Sequence, residues 1–259
     1  MTESFVEYSA ENGIAKVVLN RPEVLNCLNR QMAEQLASSL RQAASDDSVH
    51  AVWLRGAGRA FCAGQDLREM AVESGSLPPD LSEALRERYN PLIRAIRAME
   101  KPIVCAVQGV VAGAGANMAF ACDIVLAAED ACFVEPFCGL GLVPDSGGTF
   151  FLPRLIGLQR ASAMCLLGET ISAQQALAWG LIYRVSPPGA LKDEALAIVQ
   201  RLAGMPASGL QLIKRALNRS LNNRFESQLD LEAELQGLAG RTAGFREAVN
   251  AFLAKRNQE

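Results

Sequence analysis

The stretch Gly109-Val110-Val111-Ala112-Gly113-Ala114-Gly115-Ala116-Asn117 carries almost no side chain. A segment this bare presents its backbone, because only small residues let a second chain or a ligand come close to the main chain. It follows the apolar run Ile103-Val104-Cys105-Ala106-Val107, which reads as a buried strand, and a second apolar strand follows Asp123. The chain then reaches Glu135-Pro136-Phe137 and Leu142-Val143-Pro144-Asp145-Ser146-Gly147-Gly148-Thr149, where one carboxylate stands in apolar company ahead of a helix-like run. Backbone N–H groups beside Ala114 and the carboxylate of Asp145 are the groups this region offers for chemistry.

The rest of the chain alternates strands and helices. Phe5-Val6-Glu7-Tyr8 and Ile14 to Leu19 flank Asn12-Gly13, a hairpin signal. From Asn29 to Ala44 the apolar residues Met32, Leu36 and Leu40 recur at helical spacing, and Ala51 to Gly56 reads as a buried strand. Ser74 to Pro79 reads as a mobile loop, and Leu81 to Met99 as a helix interrupted near Asn90-Pro91. Phe150 to Leu155, Ala161 to Leu167 and a serine-capped segment from Ser172 are helical, and Leu181 to Val185 is a last short strand. Beyond Ala190 only amphipathic helices remain: Leu191 to Ala203, Ser208 to Ser220, Ser227 to Leu238 and Phe245 to Lys255. The expectation is an α/β core with a helical annex whose apolar faces are covered by self-association.

Composition narrows the function. Half of the 259 residues are hydrophobic, enough for a large core, and a net charge of −3 gives no general attraction to nucleic acid or anionic membranes. No apolar run reaches about 18 residues free of charge, so neither a membrane span nor a leader is expected. The seven cysteines form no C-x-x-C pair and read as reduced thiols of a cytoplasmic protein. A single histidine, His50, leaves no partner for the two-histidine zinc sites, so no metal is expected.

The candidate groups each have a plain alternative. Gly113-Ala114-Gly115 could open a dinucleotide fingerprint, but Met118 stands where the third glycine belongs. It could also serve tight packing of a helix start against a sheet, or form an oxyanion site from amides at that helix start. Asp145 could cap the helix that follows, or its apolar neighbours Leu142, Val143, Pro144 and Phe150 could raise its pKa toward that of a useful base. Ser146 is no nucleophile elbow, since Pro144 occupies the first glycine position of G-x-S-x-G. Asp66 reads as the cap of a helix through Leu67 to Met70.

At Phe61-Cys62-Ala63-Gly64-Gln65-Asp66-Leu67, Gly109 to Asp123 and Pro144 to Thr149 the chain resembles three signature segments of the crotonase (enoyl-CoA hydratase/isomerase) superfamily, in order and at its spacing. Gly113 to Asn117, Pro144 to Thr149 and Gln228-Leu229-Asp230-Leu231-Glu232 look most like the branch that isomerises ring-1,2-epoxyphenylacetyl-CoA in phenylacetate degradation. The resemblance implies a crotonase-like spiral of ββα units over 1–195 and a helical region over 196–259 that builds a trimer or a dimer of trimers. It implies an acyl-CoA thioester substrate, no bound cofactor beyond the coenzyme A that arrives with it, and an oxyanion hole from the amides of Ala63 and Ala114. Asp145 then carries the proton. The cleft residues implied are Leu25, Ala63, Gly64, Gln65, Asp66, Leu67, Gly113, Ala114, Asn117, Pro136, Phe137 and Leu142, with Lys255 from the last helix; Met118 and Phe150 join Phe137 and Leu142 as candidates for an apolar ring pocket, each with plain core as the alternative. Hydratases of the superfamily use two glutamates, and Asn117 and Phe137 stand at those positions. The implied activity is isomerisation, with a 3,4 to 2,3 double-bond shift as a second activity. A hydratase using another acid such as Glu135, and a non-catalytic acyl-CoA-binding or scaffold protein, are the alternatives.

Overall fold

The computed structural model describes residues 4–70 and 80–256. The expected loop from Ser74 to Pro79 lies outside the described residues. Strands β1 (Val6–Glu11) and β2 (Ile14–Leu19) form the hairpin, with Asn12 and Gly13 both at positive φ in its turn. Helix α1 (Arg30–Ser45) starts where Asn29 accepts a hydrogen bond from the Met32 amide, and strand β3 is Ala51–Gly56. Helices α2 (Leu81–Ala84) and α3 (Asn90–Ala98) are joined by a wide π turn over Leu85–Tyr89. That turn is the interruption expected near Asn90-Pro91, and Pro91, which has no N–H to continue the helical ladder, follows it directly in the first turn of α3.

Strands β4 (Ile103–Val107) and β5 (Val110–Ala112) lead into α4 (Gly113–Phe120), followed by β6 (Ile124–Ala128) and β7 (Cys132–Val134). Next come α5 (Gly148–Leu167), β8 (Ile171–Ser172), α6 (Ala173–Trp179) and β9 (Arg184–Ser186). Helices α7 (Leu191–Ala203), α8 (Ala207–Ser220), α9 (Phe225–Ala239) and α10 (Ala243–Arg256) end the chain. The last strand lies at Arg184–Ser186 rather than Leu181 to Val185, because Leu181 and Ile182 are buried as loop residues anchoring the turn after α6.

One sheet runs β1-β2-β3-β4-β6-β9 and a second runs β5-β7-β8. From β2 to β9 the larger sheet is parallel, and its central strands β4 and β6 are apolar on both faces, as a sheet covered on both sides requires. On β3, Val52 and Leu54 face the main core with Leu36 and Leu40 of α1, while Ala51 and Trp53 face a second cluster with Leu191, Ala195 and Val199 of α7. The expected domain boundary at 195 therefore falls inside a helix that seals the sheet. The helical annex begins with α8.

Helix α5 has the length and apolarity to cross a membrane by those criteria alone. It is, however, two helices joined across Gly157 (φ 77°, ψ 159°), it contains Pro153, and Arg154 stacks over the Phe150 ring at 3.8 Å. Described cysteines are all free; Cys62, Cys105 and Cys122 are buried and Cys138 is exposed.

Candidate active site

The side-chain-poor run is explained by one close approach. A Cβ at Gly115 would lie 2.6 Å from Sγ and 2.7 Å from the carbonyl of Cys62, so only glycine lets α4 press against that strand. The contact is reinforced by the Cys62–Val111 bridge and by the Ala112 amide, which donates to the Cys62 carbonyl at 2.9 Å. It brings the start of α4 beside the turn Ala63 to Asp66. Ala114 is the second residue of α4, no side chain caps that end, and its N–H is one of the free donors of a helix start.

The second donor is not the one expected. The Ala63 amide donates to the Leu25 carbonyl at 3.0 Å and is spent. Leu25, in the left-handed region at φ 53°, thus acts by holding the turn rather than by lining the cavity. Three residues after Leu25, Leu28 bridges Gln65 in parallel: the Leu28 amide donates to Gly64 O and the Asp66 amide to Leu28 O, which turns the N–H of Gln65 away from Leu28. Gln65 lines the same cavity as Ala114, so the two amides available to face it are those of Gln65 and Ala114.

Asp145 faces that cavity from the loop ahead of α5. Its carboxylate does not cap the helix: the N-cap of α5 is Gly147, with no side-chain cap bond, and it is the backbone carbonyl of Asp145 that accepts the Gly148 amide at 2.8 Å. Oδ1 of Asp145 is buried without a partner among the described residues. Burial raises its pKa above the usual carboxylate range, and the nearby Ser146 hydroxyl opposes the shift. The loop is fixed by two consecutive left-handed residues, Ser146 at φ 50° and Gly147 at φ 84°, and a Cβ on Gly147 would strike the Phe151 ring at 2.6 Å.

The cavity, about 240 Å³, is lined by Ala63, Gly64, Gln65, Leu67, Gly113, Ala114, Pro136, Phe137, Leu142 and Asp145, all expected from the sequence. The Phe137 ring rests on Gly113, 3.5 Å from where a Cβ would stand. Leu81, Ala84 and Leu85 from α2 and its π turn, with Leu140 and Val143, complete the wall; nothing in the sequence pattern tied α2 to this site. Besides Leu25, four expected residues do not line the cavity: Asp66, Met118, Phe150 and Asn117. Asp66 does not line the cavity: it is buried in ion pairs with Arg21 at 3.2 Å and Arg68 at 2.9 Å, and it also accepts the Arg68 amide, the turn-capping role foreseen for it. Met118 is core at 0% exposure, and Phe150 packs outside the cavity against Phe151. The backbone of Lys255 belongs to α10, and its side chain lies outside what is described.

Asn117 is sealed behind the wall. Its Nδ2 donates to the Asp145 carbonyl at 3.0 Å and to Oε2 of Glu135 at 3.3 Å, and a Cβ on Gly148 would meet this amide at 2.6 Å. Glu135 is buried to the same degree, which closes it off from any substrate. Elsewhere His50 is structural, its Nδ1 lying 3.1 Å from the Ala203 carbonyl.

A desolvated carboxylate facing a cavity with two free backbone amides is equipped to remove a proton and to hold the negative charge that results, the layout of an enzyme working beside a carbonyl group. The chain belongs to the enoyl-CoA hydratase/isomerase family, whose model matches residues 9–259. It is 48% identical over 255 residues to 1,2-epoxyphenylacetyl-CoA isomerase of Escherichia coli (strain K12), covering 98% of this chain and 97% of that one. It is 36% identical to 2,3-dehydroadipyl-CoA hydratase of the same organism, covering 97% and 96%. In structure it is similar to an enoyl-CoA hydratase from Bacillus anthracis, with a TM-score of 0.92 at 29% identity, covering 97% of each chain. The crotonase-like fold expected from the three segments is thus the fold observed.

Proposed function

We propose that the protein isomerises acyl-CoA thioesters, converting ring-1,2-epoxyphenylacetyl-CoA to the oxepin thioester, with a 3,4 to 2,3 double-bond shift as a second activity. The observation that carries this is the lone carboxylate of Asp145, whose Oδ1 is buried and without a partner among the described residues, in the cavity lined also by Gln65 and Ala114. In the double-bond shift Asp145 removes a proton from the carbon beside the thioester carbonyl, the two amides hold the enolate oxygen, and the same carboxyl returns the proton two carbons on. Each such donor is worth about 10²–10³ in rate. Proton transfer of this kind calls for no resident metal or nicotinamide; coenzyme A comes and goes with the substrate. The 48% identity to the E. coli isomerase supports the substrate.

Hydration is the less favoured reading, since Phe137 and Asn117 offer no acid to a water and Glu135 is sealed from the cavity. Turnover of the ring epoxide-CoA in ¹⁸O-labelled water separates the readings: isomerisation leaves the product free of solvent oxygen, hydration labels it, and a scaffold protein binds the thioester unchanged.

We also place the protein in the cytoplasm as a trimer or a dimer of trimers. Ile213 and Leu217 of α8 are 58% and 64% exposed, and Leu158, Leu166, Phe225 and Phe252 are open as well, a surface that an assembly would cover. Leu217→Glu should then shift the protein toward monomer in light scattering, and an unchanged mass would refute this surface as the interface.

A further inference from the structure

Four buried polar atoms around Asp145 have no partner among the described residues: Oδ1 of Asn117, Oε1 of Glu135, Oδ1 of Asp145 and Oγ of Ser146. Two of these sit on side chains that are already joined, since Nδ2 of Asn117 donates to Oε2 of Glu135 at 3.3 Å. Both residues are 0% exposed. With Glu135 ionised, its second oxygen and the Asn117 amide oxygen are two acceptors without a donor in a site closed to solvent, at a cost of about 1–3 kcal/mol for each group left unsatisfied. One proton on Oε1 removes the conflict. A carboxylic acid and a primary amide can then exchange two hydrogen bonds, N–H to oxygen on one side and O–H to oxygen on the other, directly or through one buried water.

We propose that Glu135 is held as a neutral acid and, through Asn117, positions the Asp145 loop for proton transfer. The inference rests on the isomerase reading given above. Asn117 is the link, because the same Nδ2 that meets Glu135 also donates to the Asp145 carbonyl at 3.0 Å. A proton on Glu135 fixes which way the Asn117 amide faces, and that orientation keeps the N–H on the Asp145 backbone. The groups facing Glu135 agree with a neutral acid: Asn117 comes from α4, Asp145 from the loop before α5 and Cys165 from α5, with Cys138 next to Cys165. None of these is a cation. Burial pushes the Glu135 carboxyl up to about 8, the Asn117 hydrogen bond opposes the shift, and the charge of Asp145 adds to it. When Glu135 ionises, the pairing with Asn117 Oδ1 is lost and the Asp145 loop loses its support. Glu135 is a positioning residue in this scheme; it never touches substrate.

Glu135→Gln keeps a donor of the same reach but cannot titrate, and Glu135→Ala removes the donor. The parent's kcat for the ring epoxide-CoA should fall about tenfold between pH 7 and pH 9, with a midpoint near that of Glu135, and Glu135→Gln should lose this alkaline limb while staying within about threefold of the parent at pH 7. Glu135→Ala should lose about tenfold or more in kcat at every pH with little change in KM. An alkaline limb that persists in Glu135→Gln overturns the proposal. A second readout needs no activity. The folded carboxyl lies above its unfolded value of 4.5, so the stability it permits is full below that value and is lost as pH rises to about 8. The melting temperature of the parent should accordingly drop more than that of Glu135→Gln across this window, and identical slopes would refute a neutral buried Glu135 even if the substrate proved to be another thioester. Both decisive readouts use Glu135→Gln, so misfolding of the alanine variant leaves them intact.

Discussion

Asp145 and Glu135 stand on opposite sides of one wall, and both are carboxyls that burial pushes to higher pKa. They differ in what they face. Asp145 lines a cavity of about 240 Å³ with Oδ1 unpartnered, whereas Glu135 is enclosed with Asn117 and Cys165 around it. Desolvation alone does not make a base: it makes a carboxyl reluctant to ionise, and only access to a substrate turns that reluctance into proton affinity that can be used. The front of the wall should govern chemistry, and the back should govern stability and alignment.

The largest test of this contrast is Asp145→Asn. The amide keeps the shape but accepts no proton, and kcat/KM should fall by about 10²–10⁴-fold. Because the folded pKa of Asp145 is raised, its charged form is a burden on folding at neutral pH: the stability is full below the unfolded value and is lost as pH rises through the folded one. Asp145→Asn should therefore melt at a higher temperature than the parent at pH 7 while being nearly inactive. A variant with turnover within a few-fold of the parent would remove Asp145 from the mechanism. In the parent, the same raised pKa places the acid limb of kcat/KM above the pH expected for an ordinary aspartate.

Ala114→Val comes next. A branched Cβ beside the free amide crowds the thioester oxygen, which must approach to about 2.7–3.1 Å. Turnover should drop by about 10–100-fold, while Ala114→Gly, which keeps the N–H, should cost far less. Equal losses of stability and of activity per folded molecule in the valine variant would reduce the role of Ala114 to packing. On the sealed side, Met118→Ala should do the reverse. Met118 is fully buried, and its truncation should cost about 2–5 kcal/mol of stability, read as a shift of the denaturant midpoint, while each folded molecule keeps near-normal kcat.

Much of this contrast was legible in the sequence where local chemistry decides it. The Asn12-Gly13 turn, the Ser172 cap and the bare run at Gly113-Ala114-Gly115 each state their structure in their own residues. Asp145 was identified from its apolar neighbours, and the structure removes its competing role as a cap. What could not be read is which atoms are already taken. The Ala63 amide is spent on Leu25, 38 positions earlier in the chain, and no local pattern reports that bond, so Gln65 was named as a cleft residue but not as a donor. Asn117 lies one turn beyond Ala114 on the same side of α4, so helical spacing alone points it to the cleft, and only its bonds to Glu135 and to the Asp145 carbonyl show that it is held behind the wall. The boundary at 195 failed for a similar reason, since α7 resembles the annex helices in sequence and differs from them only in what it packs against.

The smallest expected effect belongs to the rim of the cavity. Val143 lines it yet is 74% exposed, so it contributes apolar surface to a bound acyl group and little to the folded protein. Val143→Ser should raise KM a few-fold by removing part of that contact, about 1 kcal/mol or less for an edge position that stays wet. It leaves Asp145, Gln65 and Ala114 untouched, so kcat should hold, since contact that substrate and transition state share equally affects binding alone. The melting temperature should also hold, because substitutions at exposed positions without special partners stay within about 0.5 kcal/mol. Met118→Ala and Val143→Ser then form a crossed pair, one moving stability without KM and the other KM without stability. If Val143→Ser instead lowered kcat and the melting temperature together, the rim and the wall behind it would be one mechanical unit, and the division between front and back would fail at its weakest point.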